Sequence, residues 1–179
     1  MSRGLSQNHF ELLGLPIAYS VDAVRLERAY RDLQSRVHPD RFAASTEAER
    51  RVAMQWATRA NEAYRTLRDP LERARYLLDL KGFDTAEESN TAMPADFLMQ
   101  QMEWRDAAAE AKRARDRAEL SRLREDIKVQ RREMLQQLER ALDAERNYDA
   151  GCSLVRKLRF LERLDEEIGE AIEPSRDAK

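Results

Sequence analysis

The chain contains 179 residues, 37% of them charged, with five glycines, five prolines and a formal net charge of −2. Such a length holds one large or two small domains, and a charged, glycine-poor chain with sustained helical periodicity points to an all-α protein. The single cysteine, Cys152, excludes an intrachain disulfide and a thiolate cluster, and no apolar run is long enough to span a bilayer.

Asn8 can cap a single turn carrying Phe10, Leu12 and Leu13, which Gly14 ends ahead of Pro16. Asp22 is placed to cap a second helix, whose apolar positions Ala23, Leu26, Tyr30, Leu33 and Val37 recur at steps of three and four. Its arginines, Arg25, Arg28, Arg31 and Arg36, lie off that stripe. Pro39 has no N–H and biases His38 out of the α region, so the helix is expected to stop there. His38-Pro39-Asp40, followed by Arg41-Phe42, then forms an exposed loop at the tip of a helical hairpin. Taken alone, the tripeptide reads as a helix stop and turn; beside a basic helix it becomes a candidate docking loop.

Thr46-Glu47-Ala48-Glu49 is a capping box that opens a longer helix with Val52, Trp56, Ala60, Ala63, Tyr64 and Leu67 on its apolar face. Asp69-Pro70-Leu71-Glu72 closes it and starts a short helix, Leu71 to Leu80, that stops at Gly82. These pieces make a helical hairpin with two short flanking helices over 1–82. Residues 83–93 lose the periodicity and read as a linker.

A second domain is expected over 94–175. Pro94 suits the first position of a helix with Phe97, Gln101, Trp104, Ala108 and Ala111 on one face. Leu98, Met99, Met102, Glu103, Asp106 and Glu110 fall on another, where three apolar residues are rimmed by three acids. Either Leu98 and Met102 widen the buried stripe, or the face is an acid-rimmed apolar patch. A long helix from about Asp116 to Ala144 turns Leu120, Leu123, Ile127, Met134, Leu138 and Leu142 inward. A final one, from about Asp149 to Ile172, does so with Leu154, Leu158, Leu161, Ile168 and Ile172. Phe160 and Leu164 are expected away from that stripe, with the aromatic at the surface.

Charge is unevenly divided. Residues 1–82 hold 14 Lys/Arg and 11 Asp/Glu, a net +3, whereas the remainder holds 18 and 23, a net −5. That asymmetry favours an acidic partner for the first half. Cys152 reads as a small apolar residue of the interior. The opening Met1-Ser2-Arg3-Gly4-Leu5 lacks the apolar core of a signal peptide, which leads to the expectation of a cytosolic protein.

Phe10-Glu11-Leu12-Leu13-Gly14-Leu15, the basic helix, His38-Pro39-Asp40 and Asn61-Glu62-Ala63-Tyr64-Arg65-Thr66-Leu67-Arg68-Asp69-Pro70 together resemble the J-domain of chaperone co-factors over most of residues 8–80. Leu71-Glu72-Arg73-Ala74-Arg75-Tyr76-Leu77-Leu78, Phe83-Asp84, Phe97-Leu98-Met99 and Arg156-Lys157-Leu158-Arg159-Phe160-Leu161 extend the likeness to nearly the whole chain. On these residues the chain resembles the HscB family, the J-domain co-chaperones of iron-sulfur cluster assembly. The implied architecture is all-α: an N-terminal J-domain and a C-terminal three-helix bundle.

The resemblance implies a non-enzymatic role without a cofactor. His38, Pro39, Asp40, Arg41, Arg25, Arg28 and Arg36 would engage a DnaK-type chaperone ATPase, HscA, and stimulate it. Leu98, Met99, Met102, Glu103, Asp106, Glu110 and Phe160 would hold the cluster scaffold protein, IscU. Arg41 stands where the family usually has lysine, Met102 where it has leucine and Asp106 where it has glutamate, whose longer reach aspartate lacks. No zinc-binding cysteines precede the J-domain, unlike eukaryotic members, which implies a bacterial, cytoplasmic protein.

Three other classes are weighed against this one. An enzyme using His38 and Asp40 as an acid-base pair would lack a second carboxylate, a nucleophile or a phosphate loop nearby. A nucleic-acid binder would need a basic chain and a recognised motif. The third is a J-domain protein that delivers a different client.

Overall fold

The computed structural model describes residues 7–42, 46–85 and 93–173, and all regular structure among them is helical. The chain divides into two compact units, Met1–Leu80 and Lys81–Lys179.

In the first unit, α1 (His9–Leu12) begins with a capping box. Asn8 accepts from the Glu11 N–H at 2.9 Å, and the Glu11 carboxylate accepts from the Asn8 N–H at 3.1 Å. Gly14, at φ 62°, turns the chain so that the Leu15 N–H reaches the Phe10 carbonyl at 2.8 Å. Asp22 caps α2 (Ala23–Val37) through the N–H groups of Val24 and Arg25. Thr46 and Glu49 form the expected capping box of α3 (Glu47–Arg68). Asp69 Oδ1 accepts from Leu71 and Glu72 to start α4 (Pro70–Leu80).

Helices α2 and α3 form an antiparallel hairpin, because Glu27 pairs with Tyr64 whereas Gln34 reaches Asn61. Their seam is partly polar. The Tyr30 and Tyr64 rings stack at 4.2 Å, the Tyr30 hydroxyl donates to Asn61 Oδ1 at 2.8 Å, and the Tyr64 hydroxyl donates to Glu27. Ala60, Ala63 and Leu67 fill the base of the hairpin, where they are buried with Phe10, Leu71 and Leu78. Toward the tip the seam opens. Val52 is 39% exposed and Trp56 half-buried, beside a groove of about 520 Å³ that Leu33, Val37 and Phe42 also line.

In the second unit, α5 (Ala95–Ala114), α6 (Arg117–Glu139) and α7 (Tyr148–Ile172) form a three-helix bundle. The long second helix expected to Ala144 ends in a π-helical turn, Arg140–Ala144, with the Glu145 N–H on the Arg140 carbonyl at 3.0 Å. Ala141 and Leu142, three and four residues beyond Leu138, are both buried. Half-buried ion pairs close the α6–α7 seam: Arg124 to Asp165 at 2.8 Å and Arg131 to Glu162 at 3.4 Å. Phe83 also packs within this unit, 5.1 Å from the Tyr148 ring, and Arg156 donates to the Thr85 carbonyl at 2.9 Å.

Three expectations about the bundle core need correction. Leu164 is only 2% exposed and belongs to the core. Helix α7 contacts both α5 and α6, so its buried arc is wider than the single stripe that a two-helix packing would give. Val155 and Cys152 are buried in the same way, while Leu154 and Ile172, expected inward, are half-buried. Trp104 is likewise half-buried, because α5 meets its neighbours mainly through Phe97, Gln101 and Ala111. Replacing Leu164 with alanine should therefore cost about 2 to 5 kcal/mol in a denaturant titration, as a core truncation does.

His9 links α1 to α4. Its ring stacks on Tyr76 at 4.2 Å, its backbone N–H donates to the Tyr76 hydroxyl at 2.9 Å, and its Nδ1 is buried without a hydrogen-bond partner among the described residues. Burial, opposed by Glu62 and assisted by Arg59, pushes the imidazole below its ordinary value. The folded state therefore favours neutral His9. Its stability contribution is complete above the ordinary histidine value of about 6.5 and is lost as pH falls through the lowered folded value. Thermal melts between pH 7.5 and 5.5 should show the wild type losing stability relative to His9→Phe as the solution is acidified.

Candidate docking surfaces

The hairpin tip is built from the end of α2. His38 is the C-cap, extended at φ −60° and ψ 130°, and the backbone of Pro39–Phe42 follows as one 3₁₀ turn, with the Arg41 N–H on the His38 carbonyl at 3.1 Å. Arg41 staples this turn to the helix by donating to the Ser35 carbonyl at 3.1 Å, satisfying one of the acceptors that a helix end leaves open. His38 is exposed.

At about 100° per residue, Arg25, Arg28, Asp32 and Arg36 share one side of α2, off the stripe that contains buried Leu26. They are not equivalent. Arg25 donates to the Gly14 carbonyl at 3.2 Å, tying the chain ahead of α2 to its first turn. Arg36 donates to the Asp32 carbonyl at 3.1 Å, and exposed Arg28 lies between them. The tip thus combines a stapled turn with a basic helix face, and His38, Arg41 and the three arginines of that face are exposed.

On α5, the six residues Leu98, Met102, Asp106, Met99, Glu110 and Glu103 follow one another across an arc of about 140°. Met99 and Met102 are each 66% exposed, the three acids are exposed, and Leu98 is half-buried. The reading that Leu98 and Met102 widen the core stripe therefore fails for Met102. Its apolar surface faces solvent.

Phe160 lies on α7, half-buried, with its ring edge-on to Phe97 at 6.0 Å and the Arg105 guanidinium 5.3 Å from its centroid. Arg105 is seven residues beyond Leu98, about 20° away around α5, so Phe160 meets α5 on the Leu98 side of the patch. Phe97 is held in turn by Trp104 edge-on at 6.3 Å and by the Lys157 ammonium at 5.1 Å. No site role is legible for Arg105 or Lys157 in the sequence. Their one signal was their spacing from Leu98 and Phe160, which acquires meaning only once α5 and α7 are packed together.

Burial pushes the Cys152 thiol up, so it stays protonated in the bundle core. Among the described residues no group of three or more His, Cys, Asp or Glu side chains could hold a metal ion. No described helix is long and apolar enough to cross a membrane.

An antiparallel helical hairpin with a His-Pro-Asp turn at its tip, in one chain with a three-helix unit, defines a J-domain co-chaperone. Residues 8–76 match the DnaJ domain and residues 93–169 match the HSCB C-terminal oligomerisation domain. The chain is 48% identical over 173 residues to the co-chaperone protein HscB homolog of Aromatoleum aromaticum, covering 97% of this chain and 98% of that one. Chaperone HscB from Vibrio cholerae has the same fold, with a TM-score of 0.81, 38% identity and coverage of 93% and 98%. The human co-chaperone protein HscB matches with a TM-score of 0.86 and 27% identity, covering 92% of this chain and 81% of that one. The chain belongs to the HscB family of co-chaperones.

The burial of the patch residues yields a separable pair of variants. Met102→Ala should change stability by no more than about 0.5 kcal/mol, as exposed substitutions do. Phe97→Ala, at a residue 4% exposed, should cost about 3 to 5 kcal/mol. Half-buried Trp104→Ala should fall between them in the same chemical denaturation series.

Proposed function

We propose that this co-chaperone joins two partners. The His38-Pro39-Asp40 turn, with Arg41 and the Arg25, Arg28 and Arg36 face of α2, engages a DnaK-type chaperone, HscA, and stimulates its ATPase. The α5 patch of Leu98, Met99, Met102, Glu103, Asp106 and Glu110, together with Phe160, holds the iron-sulfur scaffold protein, IscU. Presenting the scaffold to the chaperone in this way promotes cluster assembly and transfer in the bacterial cytoplasm.

The observation that carries this reading is that one chain exposes chemistry of opposite kinds on its two units. On the first, cations flank a turn whose His38 and Arg41 side chains are exposed. On the second, two exposed methionines and a half-buried leucine lie among carboxylates that would steer and orient a basic partner. Methionine at 102 retains the apolar contact that leucine would make. Asp106, one methylene shorter than glutamate, reaches less far.

Steady-state ATPase of the chaperone with this protein, the scaffold, or both tests the reading, and synergy is the expected result. His38→Gln should abolish stimulation while leaving helical content and scaffold binding intact; a variant that stimulates like wild type would refute the J-domain mechanism. Arg28→Glu is the cleaner charge reversal, because Arg25 also holds Gly14. Its defect should depend strongly on salt, since exposed charges are screened over about 10 Å at 0.1 M. Met102→Ala should weaken scaffold binding by about 1 kcal/mol or more in a calorimetric titration, as an interface anchor does.

A further inference from the structure

A groove of about 540 Å³ lies between α5 and α6, beside the patch and sharing Met99 and Glu103 with it. Its floor includes Phe97 and Met134, which are 4% and 8% exposed. Carboxylates rise on both sides, Asp96 and Glu103 from α5 and Glu133 from α6. The one cation among its lining residues, Lys157 of α7, lies 5.1 Å from the centroid of the Phe97 ring. The groove is therefore net acidic over an apolar floor.

The carboxylates of this groove differ from those at the α6–α7 seam. There, Asp165 and Glu162 are paired with Arg124 and Arg131. Glu103 and Glu133 have no ion pair with any described residue; Glu133 accepts only from the Gln130 side-chain amide at 3.4 Å, and Asp96 only from the N–H of its neighbour Phe97 at 2.8 Å. A long cationic side chain fits this arrangement, with its methylenes on the Phe97 and Met134 floor and its charge between Glu103 and Glu133.

We propose that the α5–α6 groove receives a lysine- or arginine-bearing segment of the scaffold protein, so that the interface continues past the α5 patch onto α6 at Glu133. This rests on the reading that the α5 patch binds the scaffold. The contact is electrostatic and peripheral, and its loss is read mainly in the association rate, whereas loss of the apolar anchors is read in dissociation.

The test is a kinetic binding titration of purified scaffold against the full chain, comparing wild type, Glu133→Lys and Met102→Ala, with melting temperatures as the control for folding. Glu133→Lys should bind about tenfold more weakly at 50 mM salt through slower association, and the defect should shrink at 500 mM. Glu133→Gln should show a smaller loss of the same kind. If Glu133→Lys, with wild-type melting, associates like wild type while Met102→Ala is weakened, the groove proposal is overturned and the patch reading stands. A salt-independent loss accompanied by a lowered melting temperature also overturns it, since that reports damage to the fold. If the scaffold fails to bind the wild-type chain, both the patch reading and the groove fall.

Discussion

The first unit depends on one covalent constraint, the proline at position 39. With no N–H to donate and with His38 forced into an extended conformation, α2 ends there, and the chain turns back as α3. That reversal brings Tyr30 against Tyr64 and Glu27 to the Tyr64 hydroxyl, contacts that set the register of the hairpin. It also leaves His38 and Arg41 exposed, and the Arg41 bond to the Ser35 carbonyl holds the turn against the end of α2. A loop that contributes little to burial can be altered at little cost to folding, which suits it to recognition.

The second unit solves a different problem. Helices α6 and α7 share a long apolar seam closed by ion pairs, and α5 packs against both. Helix α5 buries Phe97, Gln101 and Ala111, so Phe97 is its one large apolar side chain in the core. Its remaining surface stays in water, with Met99 and Met102 uncovered. The same economy of packing leaves the groove between α5 and α6. Phe160 belongs to both roles, since its ring contacts Phe97 edge-on and is only half-buried.

Local order in the chain was largely legible because it is set by short-range chemistry. Asn8, Asp22, Thr46 and Asp69 each accept the backbone hydrogen bonds that their positions ahead of helices demand. The junction after α5 was less transparent. Arg115 takes a left-handed conformation at φ 55°, a task usually given to glycine, so no residue type announces the end of the helix. The π turn at Arg140–Ala144 left no compositional trace either.

By itself, then, the sequence determined the all-α class, the hairpin with its Pro39 stop and the separation of a Met-acid face from the Phe97 stripe on α5. Periodicity and capping depend only on neighbours along the chain. Tertiary structure decided which of two adjacent stripes each helix could bury. Leu164 became core because α7 is covered by two helices, Trp104 and Trp56 stayed half-buried because their seams are shallow, and Arg105 and Lys157 came to rest on aromatic rings from another helix. A helical wheel fixes the angle of each side chain about its own axis, but burial depends on where the neighbouring axes lie, and that is a property of the packed bundle alone.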